Sequence, residues 1–173
     1  MKYKAGDKVR IRQLKAMERV CRKENDSLDD LLYFKDKYVP FNITRMDKYC
    51  GKIATIIKAD RNIYDLDIDS GEHRWQDWMF EGYAFEFGEE IEVSNDGLCW
   101  CERIYVGYID GAGLPYICVV DGCEKDFKNG NRYVVLSWRY ARPIQKKHTI
   151  IIDGKEIEIS EESYQKLKES LEG

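Results

Sequence analysis

Apolar residues recur at every second position in short runs broken by Gly, Asp and Asn, the pattern of half-buried strands joined by turns. The pattern also repeats. "YKAGDKVRI" at residues 3–11 and "FEFGEEIEVS" at 85–94 each carry an aromatic, a glycine three positions on, and two polar residues. Alternating apolar positions follow, Val9 and Ile11 in one copy and Ile91 and Val93 in the other. "CGKIATIIKAD" at 50–60 matches "CERIYVGYIDG" at 101–111. "IYDLDIDSGEHRWQDWMFE" at 63–81 matches "PYICVVDGC" followed, after an insertion, by "YVVLSWRYARP" at 133–143. Two copies of a five-strand meander account for all three matches, and strands of about four to seven residues in this order predict a small SH3-like barrel in each.

Helical signals interrupt the first copy. In "QLKAMERVCRKE" at 13–24, Leu14, Met17 and Cys21 are spaced by three and four, which predicts an amphipathic helix. "NDSLDDLLYFKDKY" at 25–38 predicts a second, with Ser27 as N-cap, Asp29 and Asp30 favouring the dipole in the first turn, and Leu28, Leu31, Leu32 and Phe34 apolar. Both are expected to pack across one opening of the barrel. At the end of the chain, two alternating strands surround Asp153-Gly154, a two-residue hairpin signal. Ser160 then caps a helix with Glu161 and Glu162 in its first turn and Tyr164, Leu167 and Leu171 as its stripe. A hairpin and one helix are too small to fold alone, so this tail is expected to dock on the barrels or on another copy of the chain. The expected fold is therefore mainly β (α+β). A barrel at 1–84 with a helical insertion at about 13–40 is followed by a barrel at 85–144 and a hairpin-helix tail at 145–173.

Length and composition sharpen this without changing it. The 173 residues are enough for a core without staples, and 43% apolar with 13% aromatic residues excludes a disordered chain. The N-terminus has no apolar stretch like that of a signal peptide, and no run approaches the roughly 18 apolar residues of a membrane span. A cytoplasmic setting is expected, where the six cysteines are reduced thiols. The net charge of −4 argues against a general nucleic-acid binder, but it is unevenly placed. Residues 1–24 hold nine Lys/Arg against three acids, while residues 81–98 hold six acids and no base. Glu81, Glu86, Glu89, Glu90 and Glu92 are thus a candidate acidic surface for a basic partner, and solvated faces are the plainer account.

Of the possible chemistry, little points to catalysis. Cys99 and Cys101 share a strand face, and Cys118 and Cys123 follow as C-x4-C, but zinc knuckles are usually C-x2-C, so thiols lining a core are expected and no metal or other cofactor. His73 and His148 lie in no recognisable nucleophile signature. "DLDIDSGE" lacks the glycine and the bidentate glutamate of a calcium loop, so Asp65, Asp67 and Asp69 read as the solvated face of a strand and Ser70-Gly71 as a turn. The group that asks for explanation is aromatic and basic: Arg74, Trp75 and Trp78 in the first copy, and Trp138, Arg139, Tyr140 and Arg142 in the second. Spacing to the last strand aligns Trp78 with Trp138 and Phe80 with Tyr140. Such residues often plug barrel ends. Flat rings interleaved with guanidinium groups also suit a nucleotide, a single strand or a peptide.

The second repeat and tail, "FEFGEEIEVSNDG", "ERIYVGYIDG", "PYICV", "WRYARPI" and "HTIIIDGKEIEISEESYQKLKESL", resemble small accessory proteins encoded by bacteriophages and prophages, in which the "IDGKEIEISEES" segment recurs as an appended module. The resemblance is strong over the last half of the chain and looser from "YKAGDKVRI" to "MFEGYAFEFG". It implies an anti-defence role, such as an anti-CRISPR-like inhibitor that grips an effector protein, or a sponge that sequesters a nucleotide immune signal. The expectation is a non-enzymatic inhibitor of a host defence protein in the cytoplasm of the host bacterium. The nucleotide sponge is the alternative. A zinc-dependent nucleic-acid-binding module using the basic N-terminus and the clustered thiols is the third.

Overall fold

Each repeat begins at a glycine that only a residue without a side chain fills easily. Gly6 and Gly88 take left-handed backbones, φ +90° and +85°. The Gly6 N–H donates to the Ile56 carbonyl and the Gly88 N–H to that of Tyr105, both at 2.8 Å. Ile56 and Tyr105 donate back to Asp7 and Glu89, at 2.9 and 2.8 Å. These matched pairs fix the first strand of each repeat against its second. The computed structural model describes residues 2–25, 29–35, 37, 39–145, 147–153 and 155–172. The chain divides into two compact units, Met1–Glu86 and Phe87–Gly173.

The first unit runs β1 (Lys8–Ile11), α1 (Leu14–Glu18), β2 (Arg22–Asn25), β3 (Asp30–Tyr33), β4 (Phe41–Asn42), α2 (Ile43–Met46), β5 (Ile53–Asp60), β6 (Ile63–Leu66), β7 (Trp75–Gln76) and β8 (Phe80–Tyr83). A five-stranded antiparallel sheet has the order β7-β6-β5-β1-β8, and β2-β3-β4 form a separate small sheet. Within the expected helix over 25–38, Asp30–Tyr33 form a strand, and the helix expected over 13–24 stops at Glu18. Four apolar residues, Leu31 to Phe34, are too few for period alone to separate helix from strand. Cross-strand packing decides: Leu32 opposes Phe41 and both are buried, while Leu31 is only partly so. Arg22 to Asn25 has no apolar stripe for a helix to bury and pairs with β3 instead. Ser27 and Leu28 lie outside the described residues. Met17, Leu32, Phe41, Met46 and Tyr49 from the connection between β1 and β5 join Tyr64, Trp75 and Phe80 in one core.

The second unit runs β9 (Glu90–Ser94), β10 (Cys101–Tyr108), β11 (Tyr116–Val119), α3 (Glu124–Lys128), β12 (Val135–Trp138), β13 (Tyr140–Pro143), β14 (Lys147–Ile152), β15 (Lys155–Ser160) and α4 (Glu161–Glu172). Its five-stranded sheet, β12-β11-β10-β9-β13, repeats the connectivity of the first, and neither sheet closes into a barrel through the described pairings. The fold is mainly β with short helices, an α+β chain. Strand register also corrects the repeat alignment. Val9 opposes Ala54 and Ile91 opposes Arg103, so Ala54 corresponds to Arg103, two residues from the match the sequence suggests. A shift of two leaves every side chain on its expected face, which is why the pattern survived it.

In the tail, β14 and β15 pair with Ile152 opposite Lys155, and Asp153 between them takes φ +52°. Gly154 lies outside the described residues. The Ser160 hydroxyl caps α4 by accepting the Ser163 N–H at 3.2 Å. The helix is held to the hairpin by His148, whose Nε2 lies 2.7 Å from Glu161 Oε2 and whose ring stacks on Tyr164 at 4.0 Å. Ile151, Ile152, Ile157, Leu167 and Leu171 remain exposed. No described helix is long and apolar enough to cross a membrane.

The β1–β5 connection is core rather than decoration, which gives a direct test. Phe41→Ala removes a fully buried ring from against Trp75 and should cost about 3–5 kcal/mol in urea unfolding followed by tryptophan fluorescence. A loss below about 0.5 kcal/mol, the range of surface substitutions, would show that the connection is not built into the core.

Candidate functional site

A tryptophan stands on an outer strand of each five-stranded sheet. Trp75 on β7 opposes Tyr64, and Trp138 on β12 opposes Tyr116. Tyr64 and Tyr116 are both buried at matching positions of the third strand, so the ladders make Trp138 the counterpart of Trp75 and not of Trp78.

The two tryptophans have opposite surroundings. Trp75 has 0% exposure, and its Nε1–H donates to Asp69 Oδ2 at 2.8 Å. Phe41 and Tyr49 meet its ring edge-on with centroids at 6.1 and 6.0 Å, and Phe80 stacks at 6.2 Å. Asp69 is set for this role by the Gly71 and His73 N–H groups, which it accepts at 3.0 and 3.2 Å. The reading of Asp65, Asp67 and Asp69 as one solvated strand face is therefore corrected. The strand ends at Leu66, Asp67 accepts the Thr55 N–H, and Asp69 is buried in a 3-10 turn beneath the indole. Trp78 is also buried, with its Nε1–H on Gln76 at 3.2 Å and its ring stacked on Phe34 at 5.6 Å. Of the first unit's three candidates, Trp75 and Trp78 are thus core residues and Arg74 is a surface partner of Asp65 at 3.3 Å.

Trp138 is only half-buried, and its indole nitrogen is buried with no acceptor. An open pocket of about 260 Å³ lies beside it, lined by Asn95, Asp96, Cys99, Trp100, Cys101 and Trp138. Trp100 is held by its Nε1–H to the Gly97 carbonyl at 3.1 Å and by the Arg142 guanidinium 3.9 Å over its ring. Arg142 is itself fixed by Glu92 at 2.6 Å. The Arg103 guanidinium stands 5.9 Å from the Trp138 ring centre and pairs with Asp121 at 3.7 Å. Arg139 donates its backbone N–H to Asn95 Oδ1 at 3.1 Å, and its guanidinium has no carboxylate partner among the described residues. Tyr140 is 43% exposed next in the chain. Its alignment with Phe80 is corrected by the ladders: Phe80 opposes Ile11, and the residue opposite the matching Val93 is Ala141, buried like Phe80.

The pocket wall is rigid for a local reason. Asp96 Oδ1 accepts from Ser94 Oγ and from the Leu98 and Cys99 N–H groups at 2.8 to 2.9 Å. These donors hold its carboxyl down to about 2, so the side chain stays ionised well below neutral pH.

The cysteines divide differently from the expectation that they line the core. Cys118 is fully buried, and burial pushes its thiol up to about 12. Cys99 is exposed and Cys101 half-buried, and both line the pocket. Among the described residues no three of His, Cys, Asp and Glu form a metal-binding group.

The candidate acidic surface is divided between the units and largely neutralised within each. Glu86 pairs with Lys8, Glu90 with Lys128 at 2.9 Å and Glu92 with Arg142. Glu81 accepts the Gln13 N–H at 3.4 Å, and Glu89 is exposed at the turn into β9.

Sequence reasoning thus found Trp138, Arg139, Tyr140 and Arg142 but missed Trp100, Asn95 and Asp96. The available signal was a tryptophan in a short Asn-Asp-Gly loop where the first repeat carries some forty residues, an arrangement in which local bonds rather than a core must hold the ring. No protein-family model, no curated protein and no solved structure matches the chain.

Thiol labelling separates the two cysteine environments. At neutral pH a maleimide should modify Cys99 first, and Cys118 last by about a thousandfold or more, because a thiol raised to about 12 holds that much less thiolate than an ordinary one. Equal rates at the two positions, read by peptide mass mapping, would contradict the placement.

Proposed function

We propose that the chain is a non-enzymatic accessory protein of a bacteriophage or prophage that acts in the host cytoplasm and inhibits a bacterial defence by binding an effector protein. On this reading each five-stranded unit is a small SH3-like barrel, the first completed by its long β1–β5 connection and the second left open to work. The observation that carries the binding reading is the Trp100–Trp138 corner, where two indoles, each beside a guanidinium group, border an open pocket. Large aromatic rings in such a position are the usual anchors of protein interfaces.

Binding is favoured over catalysis by what the titratable groups already do. His148, the histidine of the second unit, bonds Glu161 and stacks on Tyr164, and no hydrogen bond joins it to the exposed Cys99 thiol among the described residues. The aromatic corner is favoured over the acidic one because Glu86, Glu90 and Glu92 already have cations of their own. A nucleotide sponge would use the same rings, but Arg142 and Arg103 are committed to Glu92 and Asp121, which leaves Arg139 as the corner's one unpaired guanidinium among the described residues to hold phosphate.

Expression in a bacterium with a nuclease-based defence should raise the plating efficiency of a targeted phage by orders of magnitude, and Trp138→Ala should remove most of that protection. Plating that stays, across such systems, at the low level seen on defended cells lacking the chain would contradict the proposal. Protection that is indifferent to Trp100→Ala and Trp138→Ala would move the binding surface elsewhere.

A further inference from the structure

The first unit shows what completes the corner that the second leaves open. Trp75 and Trp138 occupy the same place in their ladders, each opposite a buried tyrosine. Trp75 receives two things: aromatic cover from Phe41 and Tyr49, and a carboxylate oxygen for its indole N–H from Asp69. Both covering rings come from residues 12–52, which connect β1 to β5. The corresponding connection between β9 and β10 is residues 95–100, and the one ring it supplies is Trp100. Trp138 accordingly has a buried N–H with no acceptor and a pocket against its ring.

We propose that this pocket receives an extended segment of a partner protein carrying an aromatic side chain and a nearby carboxylate, which stand toward Trp138 as Phe41 or Tyr49 and Asp69 stand toward Trp75. The inference rests on the reading of the chain as a protein-binding inhibitor and names what that surface recognises. The ring enters between Trp100 and Trp138. On binding, the half-buried indole turns its N–H, buried in the free protein, toward the carboxylate, which lies beside Arg139, whose guanidinium is unpaired among the described residues. Charge selects the acid because the other two arginines are already neutralised by Glu92 and Asp121. Leu98, 84% exposed on the 95–100 loop, and Tyr140, exposed next to Arg139 in the chain, give the incoming backbone an apolar rim.

The test uses the full-length protein labelled with nitrogen-15, whose four tryptophans give four indole N–H resonances. Trp138 is assigned with Trp138→Phe, and the Trp75 and Trp78 signals report that the first unit remains folded. Titration with acetyl-Phe-Asp-amide should shift the Trp138 N–H downfield and saturably. Acetyl-Phe-Asn-amide and acetyl-Ala-Asp-amide should bind several-fold more weakly, and Arg139→Gln should cost several-fold with the first peptide. A Trp138 resonance unmoved by all three peptides overturns the proposal, as does a larger saturable shift with adenosine monophosphate, which would assign the pocket to a nucleotide. These failures are distinct from failure of the inhibitor reading: a silent titration with plating protection intact removes the pocket assignment and leaves inhibition standing.

Discussion

Every antiparallel sheet with one buried face must cover its outermost large side chain, and in this chain that side chain is a tryptophan on an edge strand. The Trp75–Asp69 hydrogen bond is the constraint around which the first unit is arranged. A buried indole N–H without an acceptor costs about 1–3 kcal/mol, so the 67–73 turn is folded to present a carboxylate beneath the ring. The ring itself then needs a lid. The long β1–β5 connection supplies it, with Met17, Leu32, Phe41, Met46 and Tyr49 extending the sheet's core outward.

The second unit keeps the same sheet connectivity and omits the lid. Its buried set of Ile91, Val93, Ile104, Tyr105, Tyr116, Cys118, Val119 and Ala141 lies along the sheet and stops short of Trp138. The remaining corner is organised by local bonds: Asp96 closing the 94–99 turn, Gly97 holding Trp100, and Glu92 orienting Arg142 over that ring. The rings of this corner are thus held in place by local bonds, while the buried Trp138 N–H lacks an acceptor. The chain carries the same sheet connectivity twice, with a long connection covering the edge tryptophan in one copy and a six-residue loop in its place in the other.

Much of this was legible in the residues. The glycines at 6 and 88, the apolar alternation after them and the Asp153-Gly154 turn marked strands and hairpins because each reflects a local backbone requirement. The short run Leu31 to Phe34 was misread as helix because its period is too short to register and its partner, Phe41, lies across an intervening loop. The tryptophan correspondence was misassigned because linear spacing counts residues, whereas the ladder counts cross-strand partners, and the 3-10 turn Asp77–Met79 before β8 has no equivalent in the second copy. Asp69 looked solvated for the same reason: nothing in alternation reveals that a turn tucks one carboxylate beneath a ring. Of the site, the Trp-Arg segment was visible by composition, but Trp100 and Trp138 line one pocket from segments far apart in the chain, a long-range proximity that no local pattern carries.

The central claim is that equivalent tryptophans are finished in one unit and unfinished in the other, and indole hydrogen exchange in the free protein measures this directly. After transfer to deuterated buffer, the Trp75 N–H, hydrogen-bonded to Asp69 beneath two aromatic rings, should persist at least tenfold longer than the Trp138 N–H, which is buried in a half-exposed residue and has no acceptor. Equal protection at the two positions would mean that the second unit's corner is already closed, and would contradict the account.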